Sequence, residues 1–478
     1  MSRNNYSYFV KNIFLLLISS FATKLLGFFL APLYTSVLTT AEYGTYDIMT
    51  TTIGLLSPIL SISVYEAVMR YSLANEYSQE EIFTVGFVQT LIAAFLAGII
   101  IVFNHLSGMI PEINQYIVFF SMLFILQLLN QLILAFIRGI DRLEIISAYS
   151  IISTILVCSL NVLFLAVMKL GIHGYMLANI IGQGSALMFA IITSKSFRYI
   201  KVSSFSRPLY TEMIRYSRPL VINSVSWWIN SSLDRYIILI ICGVSANGIY
   251  SMANKLSTVL DTLQSIVSQA WQLSAIKEFD KDDTTGFFIN IYNAYNCLIM
   301  LSCSALIIMC KVIASLLFKK DFFVAWRYTP WLMLAASFGA LSGYIGSIFA
   351  SVKATKVTAT STFAGAGINL ALDIILIKPF GPMGAAIATL ISYIVIWGVR
   401  LFQVKKYINL QVNLRRDLLV YFLIFCQIVV LLLFNTYISL LINMLIWLWE
   451  LFLFRKIVNK TGKRAGHFII SKIRSYGR

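Results

Sequence analysis

Charge is what this sequence has least of. Only 12% of its 478 residues are Asp, Glu, Lys or Arg, against about 25% in soluble domains. No polar stretch is long enough to build a soluble domain, so any function must be carried by apolar helices and short loops. Cysteine and histidine are also scarce. The six cysteines (Cys158, Cys242, Cys297, Cys303, Cys310 and Cys426) fall within or beside apolar runs and form no CxxC pair. Cys303 and Cys310, seven apart on one helix, cannot bridge without distortion, and all six read as small core residues. The three histidines are scattered, so no metal site is legible. A Ser/His/Asp set and a phosphate-cradling glycine loop are missing too, which argues against an enzyme. No nucleotide motif is present and no cofactor is expected. An H⁺ or Na⁺ gradient is a candidate energy source for any work the protein performs.

Acid is scarcer than base. Twenty Asp and Glu stand against 37 Lys and Arg, a formal charge of +17. A basic chain can signal nucleic acid. Lys and Arg also collect in the cytoplasmic loops of membrane proteins, and that explanation suffices here, so nucleic acid is not an expected partner. What the sequence has in abundance is apolar surface: 59% hydrophobic residues and a mean hydropathy of +0.82. A membrane helix needs roughly 20 apolar residues, and such runs recur throughout the chain.

Spans are expected near 9–38, 45–69, 83–104, 115–137, 145–168, 173–194, 219–242, 247–272, 287–317, 328–351, 357–378, 382–404, 417–435 and 437–454. The first is too long for a signal-peptide core and has no clear small-residue cleavage site, so it reads as a retained helix. The loops test this arrangement. One side holds Arg138, Arg142, Lys195, Arg198, Lys201, Arg207, Arg215, Arg218, Lys277, Lys281, Lys353, Lys356, Arg400, Lys405, Lys406, Arg415 and Arg416. The C-terminal tail adds eight more, from Arg455 to Arg478, and no acid; the tail after Trp449 reads as a topology anchor touching anionic lipid. The other side has Lys169, Lys378 and the cluster Lys319, Lys320 and Arg327. The asymmetry places both termini in the cytoplasm, with the 319–327 cluster as the exception.

The sequence also repeats. "GIHGYMLA" (171–178) and "GPMGAAIA" (381–388) share the pattern GxxGxxxA, preceded by Asn161 and Asn369 in the spans upstream, and "AEYGTY" (41–46) parallels "ANGIY" (246–250). Small residues of this kind let helices approach closely in lipid. The expected fold class is therefore an all-α polytopic membrane protein of about 14 transmembrane helices, with two pseudo-symmetric six-helix lobes plus two C-terminal helices. Its divisions are 1–194, a basic cytoplasmic linker at 195–218, 219–406, two additional helices at 407–454 and a basic tail at 455–478. Transporters built from such repeats place substrate between the lobes.

"NLALDIILIKPFGPMGAAIATLISY" (369–393), "SSLDRYIILIICGVSANGIYSMANKL" (231–256) and "FATKLLGFFLAPLYTSVLTTAEYGTYD" (21–47) closely resemble the polysaccharide-biosynthesis flippases. These belong to the superfamily that also holds Wzx-type O-antigen flippases, the lipid II flippase and the multidrug and toxin extruders. The resemblance spans both six-helix halves and weakens over the last two helices. It implies an alternating-access carrier in the inner membrane that moves an undecaprenyl-diphosphate-linked oligosaccharide through a cationic cavity, for O-antigen, capsule or exopolysaccharide. Membrane lipid, and the polymerase and chain-length proteins of the same pathway, would be its other partners.

Charges at membrane depth usually face a bundle interior or a water-filled cavity. Lys24, inside the first span, is the leading candidate for the diphosphate, and the resemblance adds weight because the lipid II flippase carries a cation at the matching place. Lys255 and Arg235 are the candidates in the second half, with Arg70 as a further cation that reads equally as a topology charge, and Arg138 as one that reads more readily as an anchor. Asp47, Glu66, Asp234, Asp261 and Asp373 are candidates for ion coupling or structural pairing, and Asp47 or Asp261 would serve as a partner for Lys24. Arg235 and Asp234 are adjacent and need not pair, since neighbours on a helix do not face each other. Lys311 reads as a snorkelling residue. Trp227, Trp228, Asn230, Tyr250, Trp271 and Gln272 could contact sugar, or pack and form an interfacial belt. A cation-coupled drug or metabolite antiporter of the same superfamily is the alternative. The lysine in place of an acid in the first span argues against it, while Asp47 and Glu66 keep it open. A polymerase would be expected to carry a large outer loop and a processive glycosyltransferase a cytoplasmic domain, and neither is present.

Overall fold

The computed structural model describes residues 28–74, 76–277, 283, 286–352 and 354–476. Every regular element among them is helical. In order they are α1 (Ala31–Val37), α2 (Thr40–Leu60), α3 (Val64–Ala74), α4 (Gln79–Ser107), α5 (Pro111–Gln115), α6 (Ile117–Gly139), α7 (Leu143–Asn161), α8 (Gly171–Ser194), α9 (Arg207–Cys242) and α10 (Val244–Lys277). They continue with α11 (Phe287–Leu317), α12 (Thr329–Ser351), α13 (Thr355–Phe380), α14 (Pro382–Val404), α15 (Leu414–Leu433) and α16 (Thr436–Tyr476).

Ten of the described helices are long and apolar enough to cross a membrane, and α2 with α3 makes an eleventh if the bent pair is one span. The chain is a multi-pass membrane protein. The remaining expected spans are the first, most of which lies outside the described residues, and α9 and α10. Those two form full-length helices, but Asp234, Arg235, Lys255 and Asp261 make them more polar. At 36 residues and 1.5 Å per residue, α9 is much longer than the roughly 30 Å hydrocarbon layer. Its first turns absorb Arg207, Arg215 and Arg218 from the basic stretch.

Local chemistry sets the helix ends. Thr39 and Glu42 form a capping box at α2, and Ser78 and Glu81 form one at α4, each satisfying free N–H groups of a first turn. Proline occupies the first turn of α1, α5, α9, α12 and α14, where its missing N–H costs nothing. Pro58, by contrast, lies inside α2. Ile62 and Ser63 follow with positive φ, and the span bends by 56°. The break separates the polar N-terminal half of this span from Tyr65, Glu66 and Arg70.

By internal contact the chain forms two units, one ending at Ser251 and including 319–322, the other comprising 252–318 and 323 onward. In the first, α3, α4, α6, α7, α8 and α9 share a core of Val64, Val68, Phe83, Leu132, Phe136, Ile146, Ile191 and Met213. In the second, Trp271 stacks on Tyr344 at 4.3 Å, and Arg400 ties three helices together. Its guanidinium donates to Ser361 Oγ (2.9 Å), the Ser342 carbonyl (2.8 Å), Thr362 Oγ1 (2.8 Å) and the Thr358 carbonyl (3.3 Å). Arg400 therefore belongs to the interior of α14 and is not a loop charge.

The two copies of GxxGxxxA share one geometry. Gly171 and Gly381, the first glycines, both have positive φ, while Gly174 and Gly384, the second, sit where a Cβ would strike the preceding segment. Ala178 and Ala388 are fully buried, and Asn161 and Asn369 are buried just upstream.

Candidate substrate cavity and the neighbouring charge network

A cavity of about 310 Å³ opens in the first unit. Tyr65, Glu66 and Met69 come from α3, Tyr149 from α7 and Gln183 from α8, and α6 contributes the remaining wall. On α6 the lining positions are Gln127, Asn130, Gln131, Leu134, Ala135 and Arg138. These recur at helical spacing and form one stripe. Amides in the middle of an otherwise apolar span are costly unless they meet partners. Two of them do so here: Tyr149 donates to Asn130 Oδ1 at 2.9 Å, and Gln131 Nε2 donates to Ser57 Oγ at 3.2 Å. Gln131 Oε1 is buried and has no donor among the described residues. Glu66 and Arg138 both line the cavity, and among the described residues neither is in an ion pair. Arg70, one turn beyond Glu66 on α3, is exposed and does not line it.

A second polar group lies where α2 meets α9 and the start of α10. Arg235 donates to Asp47 Oδ1 at 3.0 Å and to Thr51 Oγ1 at 3.2 Å. Asp47 also accepts from Asn247 (3.2 Å) and Ser251 (2.5 Å). Asp234 accepts from Tyr250 at 2.5 Å. Adjacent on α9, Asp234 and Arg235 thus point to different partners, as the helical geometry requires. The two helices can meet here because of glycine. A Cβ on Gly44 would overlap the Val244 carbonyl, and one on Gly248 would overlap the Thr40 carbonyl. These are the matching glycines of the repeated "AEYGTY" and "ANGIY".

The other sequence candidates are dispersed. Lys24 and the Gln272 side chain lie outside the described residues. Lys255 is half-buried and Asp261 exposed on α10, while Asp373 is fully buried on α13. Trp228 donates to the Thr51 carbonyl at 2.9 Å, Trp227 is exposed, and Asn230 is half-buried. Trp271 packs in the second unit. Lys311 lies over the Trp326 ring at 4.7 Å. A search for charges alone finds Glu66 and Arg138 but passes over the amide stripe on α6, whose signal is its spacing.

A model of the polysaccharide biosynthesis protein family matches residues 9–272, more than half of the chain, and the protein belongs to that family. No curated protein matches the sequence. Among solved structures, the fold is similar to the lipid II flippase MurJ in an inward closed conformation, with a TM-score of 0.68 at 16% identity, covering 92% of this chain and 99% of that one. It is also similar to an inward-facing multidrug resistance MATE family transporter of the MOP superfamily, with a TM-score of 0.64 at 12% identity, covering 80% and 95%. An outward-facing MATE family transporter gives 0.54 at 13% identity, covering 83% and 92%. The fold is thus similar to that of solved flippase and transporter structures.

Proposed function

We propose that this protein flips an undecaprenyl-diphosphate-linked oligosaccharide across the inner membrane for surface polysaccharide assembly, and that the cavity beside α6 receives its sugars. The cavity carries this reading. Four amides, two phenols, one carboxylate and one guanidinium line it, the donor and acceptor mixture that sugar hydroxyls require, with tyrosine faces for the sugar rings. A family named for polysaccharide biosynthesis and a fold like that of a lipid II flippase agree with such cargo.

In this scheme the first six helices and the six from residue 219 act as two lobes, and the loop charges hold both termini in the cytoplasm. Arg138 lies at the end of the amide stripe that would be cytoplasmic, where it meets the diphosphate while the sugars enter. Arg70 guides the phosphates in from the surface, and Lys24 and Lys255 are further candidates to meet them as point charges. Arg235 is held by Asp47 in this conformation and reaches phosphate only when that pair opens. The polymerase and chain-length proteins receive the product, and an H⁺ or Na⁺ gradient drives the cycle.

The test is export of surface polysaccharide in cells whose own flippase is deleted. Gln131→Leu and Arg138→Gln, present in the membrane at wild-type levels, should fail to restore it. Full restoration by both would refute the cavity assignment. Glu66, a carboxylate in the same cavity with no ion pair among the described residues, is the observation that favours a cation antiporter instead. Export of cationic drugs that depends on Glu66, with no effect on polysaccharide, would select that reading.

A further inference from the structure

Glu450 lies in α16, ten residues before Lys460 at the end of that helix's apolar span, or about 15 Å along the axis. It is fully buried, and among the described residues no group is placed to donate a hydrogen bond to its carboxyl oxygens. Among the described residues no Lys, Arg or His pairs with it. The groups around it come from the helices that pack on α16. From α11 there are the Cys303 thiol and the Ser304 hydroxyl. From α15 there is Gln427, whose Nε2 donates to the Asn443 carbonyl at 3.1 Å, and Asn443 Nδ2 returns a bond to the Gln427 carbonyl at 3.3 Å. The nearest charges on α16 itself are Arg455 and Lys456, both exposed, with Arg455 over the Phe452 ring at 4.1 Å. On α15, Arg416 and Asp417 pair with each other at 2.7 Å, with Arg416 over the Phe454 ring, one turn beyond Glu450.

Ser304 makes the decisive contact. Its hydroxyl donates to Gln427 Oε1 at 2.8 Å, so its hydrogen is committed to α15 and only its lone pairs are left for Glu450. A hydroxyl has one hydrogen and two acceptor sites. An ionised Glu450 would therefore face an acceptor in a site with no counter-charge, which a buried carboxylate does not tolerate. A protonated Glu450 can donate to Ser304 and extend the chain to Gln427.

We propose that Glu450 is a proton-binding site, occupied in this conformation, whose proton sets the Ser304 hydroxyl toward Gln427 and so controls how α11 packs on α15. Loss of the proton to water turns the Ser304 hydrogen back to the carboxylate. Gln427 Oε1 is then left without its donor, and α11 separates from α15. Trp447, which donates to the Leu301 carbonyl at 3.3 Å, reports that movement.

Infrared spectroscopy of the protein in lipid tests the site without any need to know the cargo. The wild type should show the carbonyl stretch of a protonated carboxyl group at neutral pH, and Glu450→Gln, a neutral isostere, should lack it. Ser304→Ala keeps the acid but removes its acceptor, and should shift the band. Tryptophan fluorescence should change on alkalinisation in the wild type and not in Glu450→Gln. Identical infrared spectra for wild type and Glu450→Gln overturn the proton site, an unshifted band in Ser304→Ala overturns the relay, and an equal alkaline fluorescence response in both proteins overturns the control of packing.

Discussion

Asp47 and Arg235 meet at 3.0 Å across 188 positions of sequence, with their side chains only 10% and 22% exposed. The carboxylate has the guanidinium, Asn247 and Ser251 as donors, so both of its oxygens accept. The pair therefore acts as a clasp between α2 and the α9–α10 corner, placed beside the glycine crossing that brings the helices together.

Removing either half of the clasp should be worse than removing both. Asp47→Asn leaves Arg235 without its counter-charge, and loss of one partner of a charged hydrogen bond costs about 1–3 kcal/mol. Arg235→Gln should cost a similar amount. A double-mutant cycle on thermal unfolding in detergent measures the coupling. Strictly additive losses would show that the clasp does not contribute to stability.

Gly44 and Gly248 should tolerate no side chain. Their Cβ positions coincide with backbone carbonyls, which cannot rotate away as a side chain can. Overpacking of this kind costs about 1–3 kcal/mol. Gly44→Ala and Gly248→Ala should each lower the melting temperature and impair export. Gly98→Ala and Gly398→Ala, where a Cβ meets nothing within 4 Å, should do neither. Equal behaviour of the two pairs would remove the close crossing as their cause.

Particular residues show how much of this was legible in the sequence. The spans were readable because lipid demands long apolar runs, and the repeat because the geometry at Gly171 and Gly381 can be met by few residues but glycine. The charges Asp47, Glu66, Asp234 and Arg235 stood out as costs that something must offset. Their partners did not, since nothing local links position 47 to 235. The amide stripe on α6 carries no formal charge and is visible only as a helical period. Arg400 and Glu450 were obscured by position. Each lies close in sequence to the basic segments after its span, where a charge normally means the membrane surface, and only the packing shows both to be buried.

Arg400 should resist even its conservative replacement. Its planar fork reaches two hydroxyls and two carbonyls on α12 and α13, and a lysine ammonium cannot span that set. Gly346 leaves the room, since a Cβ there would come within 3.0 Å of the guanidinium. Arg400→Lys should lose about 1–3 kcal/mol through acceptors left unpaired, and Gly346→Val should lose at least as much by displacing the fork. Lys405→Ala, an exposed neighbour one turn on, should be silent. Melting curves of the three variants in detergent give the comparison, and wild-type stability of Arg400→Lys would mean that water replaces the missing donors.

In the cavity, graded loss separates sugar recognition from simple packing. A hydrogen bond lost to a sugar hydroxyl costs about 0.5–1.5 kcal/mol, and 1.4 kcal/mol is roughly tenfold in affinity. Gln127→Leu and Gln183→Leu keep the volume of the wall and remove its polarity, so export should fall by up to about tenfold for each while melting temperature holds or rises. Asn130→Leu removes the acceptor of Tyr149 as well and should lose both export and stability. Glu66→Gln keeps a donor and acceptor but not the charge. If the cavity reads sugars, Glu66→Gln should retain most export. If Glu66 instead carries a coupling cation, that variant should fail as completely as Glu66→Ala, with wild-type binding of the isolated lipid-linked substrate. Flipping assays on liposomes containing each variant, set beside binding of that substrate, decide between the two roles because only the coupling role dissociates binding from movement.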